Sequence, residues 1–351
     1  ELVPDDHVAL LRNEAWTRGR AGRRPHLDGI LFRIYPEVGQ LIDAAHRGQL
    51  DLALEIPDEE LPTLGNAGGM SQQRRPSLAY EQVTFNQADP NPLTGVSAPW
   101  KGDPMLLQAL RTSIDRAGLL LRVLHAQVPV AQSPISSLSD FHDADAAIRF
   151  DSAAAAQGLD RDGWTLATDG IRVKNGRRLS FSLLTAVGDP LRTAVRADLI
   201  ARWRKVGVEV IPRDAHLSDM FSGYAQGGLL EQGRFEAGLW TWSTGADPDG
   251  VYPLEHSSEI PTDVNQGAGS NFGRFANPEI DRALDRGRQS LLTGERVQAY
   301  AAFERAYARL GAELPLFTRV EVVLGSAHLH NLQANSGPAT TLWNAADWWI
   351  D

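Results

Sequence analysis

Leu179-Ser180-Phe181-Ser182-Leu183-Leu184-Thr185-Ala186, then Asp189-Pro190-Leu191, then Val206-Gly207-Val208-Glu209-Val210-Ile211, is the stretch on which the fold of this chain turns. The first segment is a mostly apolar strand. Asp189 offers a capping carboxylate and Pro190 the preset φ of a first helical residue, so a helix begins there. Leu191, Val195, Leu199, Trp203 and Val206 follow at helical spacing. Gly207 ends the helix, and Val208 to Ile211 is the next strand. Strand, helix and strand make a β-α-β unit, for which a parallel pair and a right-handed crossover are expected.

Toward the N-terminus the same signals recur. Asp103-Pro104 opens a helix predicted to run to Ala117 and stop at Gly118, with Leu106, Leu110 and Ile114 on one face. Residues 27–35 and Leu50 to Ile56 read as strands, with a short helix around Leu41–Ala45 capped by Gly48 between them. Tyr80 to Phe85 is a further strand, followed by a Pro-, Gly- and Asn-rich loop to Lys101. Residues 126–176 read as irregular or short-helical. Toward the C-terminus the pattern predicts helix 217–226, strand Phe235 to Trp242, helices from Asn277-Pro278 and over Glu295 to Leu310, and a closing strand Leu314 to Leu324. A short echo between 38–54 and 217–240 is the recurrence of a common α-β unit. The whole is α/β with mixed sheets.

Composition bounds the function. The 351 residues suggest about two domains. With 42% hydrophobic and 22% charged residues, the chain is ordinary globular material. A net charge of −10 argues against nucleic acid as a partner. The longest apolar run falls far short of the ~18 residues of a membrane span. The absence of cysteine excludes disulfides, thiolate catalysis and thiolate metal sites. The opening at Glu1, with neither an initiator Met nor a signal peptide, reads as that of a fragment or processed product. The tail Leu342–Asp351 carries Trp343, Trp348 and Trp349, which points to an end that packs onto a core.

Residues 240–273 hold the candidate chemistry. The strand end Trp240-Thr241-Trp242 runs into Ser243-Thr244-Gly245-Ala246-Asp247-Pro248-Asp249-Gly250 and a long polar loop that includes Asn271. In open α/β sheets ligands bind beyond the carboxyl ends of strands, and a loop this long is usually functional or disordered. Trp240 and Trp242 share one face of their strand, so both are core or both line a cleft. Aromatics beside carboxylate and amide groups suit a peptide-like or sugar-like ligand. Asp247 and Asp249 fit two readings, a turn with a helix cap or the paired carboxylates of a glycan hydrolase. Gly267–Gly273 lacks the Gly-Lys-Ser/Thr ending of a phosphate loop. His328-Leu329-His330 presents two imidazoles with no third metal ligand nearby. No nucleophile elbow or zinc-protease motif occurs, so the chain reads as a binder with no catalytic residue, no metal and no cofactor.

Several segments together resemble one family. Leu11-Arg12-Asn13-Glu14-Ala15-Trp16, His46-Arg47-Gly48-Gln49-Leu50-Asp51-Leu52-Ala53, Val83-Thr84-Phe85-Asn86 and Leu110–Arg116 match its blocks in order. So do Trp242–Asp249, Asn271–Asp281 and Leu314-Pro315-Leu316-Phe317. The chain resembles the C-terminal two-thirds of the bacterial extracellular solute-binding proteins of ABC importers, family 5, the dipeptide- and oligopeptide-binding type. That resemblance implies periplasmic-binding-protein-like lobes (type II, cluster C) of mixed sheets flanked by helices, with the N-terminal part of the fold missing. Residues 1–90 would be part of the first lobe, 91–335 the second lobe, and 336–351 a tail returning to the first. The ligand would lie between lobes that close on a hinge.

It further implies a non-catalytic receptor, periplasmic or lipid-anchored, that captures a peptide or other small solute for ABC permease subunits. Trp240, Trp242, Thr244, Asp247 and Asn271 would touch ligand, with Phe85 and Asn86 from the hinge side. The family's peptide binders place an Asp shortly after the strand-end Trp to take the peptide's α-amino group. Here Ser243, Thr244 and Gly245 follow Trp242, and Asp247 is the nearest carboxylate. The other readings are a secreted glycan hydrolase using Asp247 and Asp249, and a ligand sensor.

Overall fold

A computed structural model describes residues 1–16, 24–60, 64–65, 69–125, 128–335 and 341–351. Residues 126–127 of the stretch expected to be irregular or short-helical, and 336–340 of the expected tail, lie outside the described residues. The chain divides into two compact units, one of residues 1–77 and 319–351, the other of residues 78–318.

The first unit opens with an antiparallel sheet of β1 (Leu2–Val3), β2 (His7–Leu11) and β3 (Gly29–Arg33). Helix α1 (Val38–His46) closes on Gly48, whose φ of 67° is the left-handed conformation the sequence predicted there. Strand β4 (Leu52–Ile56) follows. Strand β5 (Ser71–Phe85) begins in this unit and ends in the other. It starts well before the predicted Tyr80. Its first third, Ser71 to Arg75, is polar and shows no apolar alternation, and Ser71 and Gln73 bond to the main chain of Gly325 and Leu332.

The second unit carries the predicted helix starts. Asp103 caps α2 (Pro104–Thr112), its carboxylate accepting from the Leu106 N–H. The predicted helix over 104–117 is broken. Asp115 caps a separate α3 (Arg116–Leu124) by accepting from the Gly118 N–H at 2.9 Å. Gly118 therefore begins a helix instead of ending one. A Cβ there would lie 2.0 Å from the Asp115 carboxylate, so the close cap needs glycine. Helix α4 (Ser152–Arg161) is the short-helical part of the 126–176 stretch, and a small sheet of β6 (Thr165–Leu166), β7 (Arg172–Lys174) and β8 (Arg177–Arg178), which the sequence did not suggest, orders its end.

Strand β9 (Ser180–Ala186), helix α5 (Pro190–Lys205) and strand β10 (Glu209–Ala215) form the β-α-β unit, with β9 and β10 parallel in register from Ser180↔Glu209 to Ala186↔Ala215. Leu191, Val195, Leu199 and Trp203 are the buried face of α5, as their spacing predicts. Trp203 joins Phe85, Trp100 and Phe181 in an edge-to-face cluster with centroids 5.1–6.2 Å apart. The predicted helix 217–226 is only α6 (Leu217–Phe221), because Ser222 turns extended (ψ 151°) before a single 3-10 turn at Tyr224–Gln226.

Strand β11 (Ala237–Ser243) lies between β9 and β5, parallel to the first and antiparallel to the second. Helices α7 (Tyr252–Glu255), α8 (Pro278–Gln289) and α9 (Thr293–Leu310) follow. The last two pack through Ile280, Ala283, Leu284, Tyr300, Phe303 and Tyr307. Strand β12 (Glu313–Gly325) completes the order β10-β9-β11-β5-β12 and passes into the first unit, where it pairs with β4. There β13 (Leu329–His330) pairs with β14 (Trp349–Ile350). His328 and His330 both meet Asp351, at 3.3 and 3.2 Å. Among the described residues no helix is long and apolar enough to cross a membrane.

Candidate functional site

The parallel strands β9 and β10 end level with each other at Ala186 and Ala215, and their parallel neighbour β11 runs on past that edge to Ser243. Parallel strands that stop at one edge leave their last side chains and following loops around a common space, which is where α/β sheets take ligands. A cavity of about 310 Å³ lies there, walled by Ala186, Leu217, Met220, Phe221 and Trp240, with Arg192 and Thr241 as its polar lining. Arg192 stands one turn into α5. It donates from Nε to Glu81 at 2.7 Å, from Nη2 to the Thr241 hydroxyl at 2.7 Å, and pairs with Asp189 at 2.8 Å. Two carboxylates thus surround one guanidinium, so the polar wall carries no spare positive charge for an anion. A groove of about 550 Å³ between α2, α4 and the end of α9, lined by Met105, Arg149, Arg161, Arg305 and Arg309, shares no residue with this cavity.

The register sets which way the tryptophans point. Trp240 lies opposite Gln82 and Trp242 opposite Tyr80, so all four share a face of the β5–β11 pair. Trp240 is 3% exposed and packs edge-on to Phe235 and Phe272, at 5.5 and 6.5 Å. Trp242 is half-buried and meets the Phe272 ring at 5.6 Å. Gly238, two residues before Trp240 on the same face of β11, leaves room for the Trp240 ring, since a Cβ would lie 2.2 Å from it.

The polar stretch after β11 is ordered by its own hydrogen bonds. Thr244 is buried and donates to the Pro134 carbonyl at 2.8 Å. Asp247 is exposed, caps a 3-10 turn at Pro248–Val251 through the Asp249 N–H, and pairs with Arg296 at 2.5 Å. Partial burial pushes the Asp247 carboxyl up, but the Arg296 bond and charge and the Asp249 N–H outweigh it and hold it below the ordinary value. Asp249 takes Arg288 at 2.9–3.1 Å through both carboxylate oxygens. Arg288 lies 3.4 Å over the Tyr252 ring, which stacks on His256 at 4.3 Å. Asn271 ties the loop's far end, donating to the His256 and Phe275 carbonyls and accepting from the Phe275 N–H. Gly269 makes the close approach possible. Its φ is +95°, and a Cβ would lie 2.1 Å from the Glu259 carbonyl.

Phe85 and Asn86 stand at the end of β5. Phe85 is enclosed by the aromatic cluster. Asn86 is fully buried and donates to the Gly233 and Phe235 carbonyls, both at 2.8 Å. Of the sequence candidates, the structure brings Trp240, Trp242 and Asn271 together through Phe272. Thr244 and Asp247 sit in the next turn, Phe85 serves the aromatic core with Trp100, Phe181 and Trp203, and Asn86 ties the main chain at Gly233 and Phe235. Arg192, Glu81, Met220 and Phe221 escaped the sequence reading. Arg192 and Glu81 carried only a faint signal, a charge three residues after a helix cap and a charge in an apolar strand, and only pairing across β5 and β11 unites them.

Residues 1–260 match the family described as bacterial extracellular solute-binding proteins, family 5 Middle. The chain belongs to that family. Among curated relatives, the oligopeptide-binding protein AppA of Bacillus subtilis is 24% identical over 360 residues, covering all of this chain and 60% of AppA. The chain thus spans about three-fifths of that relative. The solved structure of AppA in complex with a nonapeptide superposes with a TM-score of 0.75 at 22% identity, over all of this chain and 65% of AppA. NikA of Brucella suis in complex with Fe(III)-EDTA gives 0.79 at 18% identity, over all of this chain and 67% of NikA. The fold is that of this family, with mixed sheets flanked by helices.

Proposed function

We propose that this chain is the solute-capturing, non-catalytic part of an ABC importer receptor that works outside the cytoplasm. It takes a peptide or similar small solute at the β9–β11 strand ends and delivers it to permease subunits. The family match over residues 1–260 carries the reading. The strand-end cavity with Trp240 in its wall and half-buried Trp242 beside it supports the placement, because desolvated aromatics are the usual anchors of such sites. The related AppA binds a nonapeptide and NikA an iron chelate, which favours a peptide and leaves compact non-peptide solutes within reach of the fold.

The geometry speaks against hydrolysis by Asp247 and Asp249. A general acid must hold a proton near neutral pH, whereas Asp247 is kept ionised by Arg296; both oxygens of Asp249 are already taken by Arg288. The same Arg296 pair makes Asp247 a poor stand-in for the amine-binding carboxylate of peptide receptors, so solute selection here rests more on shape and apolar contact.

The test compares the native with the denatured mass of the purified protein, identifies what is released, and titrates it by calorimetry. A released peptide or small solute, bound at least about fivefold more weakly by Trp242→Ala (more than ~1 kcal/mol), is the expected result. Chemical turnover of the solute on prolonged incubation would overturn the non-catalytic reading. Unchanged affinity in Trp242→Ala would move the site away from β11.

A further inference from the structure

Below the Trp240 and Trp242 face, two glutamates that the binding reading does not use are buried together. Glu255, the last residue of α7, is 2% exposed, and Glu313, the first of β12, is 7% exposed. Their carboxyls lie within hydrogen-bonding reach of each other. From β5 the Thr84 hydroxyl donates to Glu313 Oε1 at 2.9 Å and receives the Gln82 amide at 3.2 Å. From α9 the Tyr307 hydroxyl reaches Glu313 Oε2 at 3.4 Å. From α2 comes Arg111, 1% exposed, whose guanidinium donates to the main-chain carbonyls of Glu313 and Tyr307, both at 2.8 Å. Tyr80 of β5 is also enclosed. Its hydroxyl and Glu255 Oε1 have no partner among the described residues. Arg116 of α3 lies one layer away and is spent on carbonyls, including Pro315 at 2.9 Å.

The charges do not balance if both glutamates ionise. One guanidinium would face two carboxylates in contact, in an interior where like charges repel strongly. Thr84 and Tyr307 spend their protons on Glu313, so Glu313 is the oxygen set prepared for a negative charge. The remaining contact, carboxyl against carboxyl, is attractive only with a proton between them. Burial raises both carboxyls above the ordinary range, Glu255 the further because the Glu313 charge adds to the effect. Burial lowers Arg111 only to about 10, so it stays charged at neutral pH.

We propose that Glu255 and Glu313 share one proton in the folded protein, with Glu255 as the neutral donor and Glu313 as the anion opposite Arg111. The shared proton is a latch. It fastens α7, and with it the turn that carries Asp247 and Asp249, to the start of β12. Alkali removes it, leaving two carboxylates in contact. The inference stands on the interior of residues 78–318 and is independent of which solute the protein binds.

The sign of the effect is definite. The unfolded chain releases this proton near pH ~4.3, whereas the folded chain keeps it. Above that pH folding takes up one proton, and stability falls as pH rises until the folded pair ionises. Glu255→Gln keeps the shape and the donor to Glu313 but has no proton to lose. Urea unfolding of both proteins at pH 5, 6, 7 and 8 should show the ratio of unfolding constants, wild type over Glu255→Gln, rising with pH, by about tenfold per pH unit at most. A ratio constant over that range overturns the proposal. Should Glu255→Gln fail to fold, the infrared spectrum of the wild type at pH 7 decides instead. It should carry the carbonyl band of one protonated carboxyl, and a spectrum without that band is the contrary result. Amide exchange at Leu254–His256, corrected for intrinsic rate, should lose protection from pH 7 to 9 in wild type and not in Glu255→Gln; equal protection in both would sink the latch.

Discussion

Single side chains in this protein are mostly explained by where their hydrogen bonds go. Glu304 is fully buried in α9, and accepts from the Ser133 hydroxyl, from His142 Nδ1 at 2.8 Å and from the Asp143 N–H at 2.5 Å. One carboxylate thereby pins a loop that has no regular structure of its own. The hydrogen bond to Glu304 raises His142 above the ordinary histidine value, against partial burial, which lowers it, and the charges of Glu304 and Asp143 add to the rise. The imidazolium stabilises the fold fully below the unfolded value near ~6.5, and its contribution disappears as pH rises through the higher folded value. His142→Gln should therefore flatten the pH dependence of stability between mildly acidic and mildly alkaline solution, as read from urea midpoints. A wild type and variant that stay parallel over that window would show that the pair does not titrate. No window of sequence shows this pair, because the partner of His142 lies 162 residues away.

Elements here begin where a side chain satisfies the first free N–H groups, and that signal reads well from sequence. Asp103, Asp189 and Asn277 each precede a proline and each caps the helix that follows. Asp115 and Asp151 cap without a following proline, and the Asp115 start was read as the interior of a longer helix. The buried face was right all the same, since Leu106, Leu110 and Ile114 are each at most 1% exposed. Apolar spacing survives a break that capping chemistry creates. Asp115→Ala should cost about 1 kcal/mol, measured by urea unfolding, with the loss confined to α3. Asp115→Asn, which keeps an accepting oxygen, should recover most of it. Equal losses in the two variants would mean that the cap bond contributes nothing.

At the scale of the whole molecule, binding and stability are linked. A solute held by the folded chain alone raises the unfolding free energy by about 2.7 kcal/mol at a hundredfold excess over its Kd. The solute recovered from the native protein should therefore raise Tm in a concentration-dependent way, and in Trp242→Ala the rise should need proportionally more of it. A Tm indifferent to that solute would make it a passenger. Much of this molecule follows from local rules: the α/β class, the β9-α5-β10 unit, the helix starts, and the strand end that carries Trp240 and Trp242. These depend on spacing and on residues within a few positions of one another, so a linear reading reaches them. The strand-end cavity, the Arg192 network with Glu81 and Thr241, and the buried Glu255–Glu313 pair do not appear in any window of sequence. Each joins residues from separate elements, and the free energy of a buried charge depends on what the completed fold places against it. Only the tertiary structure decided that Asp247 and Asp249 answer to arginines of α8 and α9, and that two distant glutamates must share an interior with a single guanidinium.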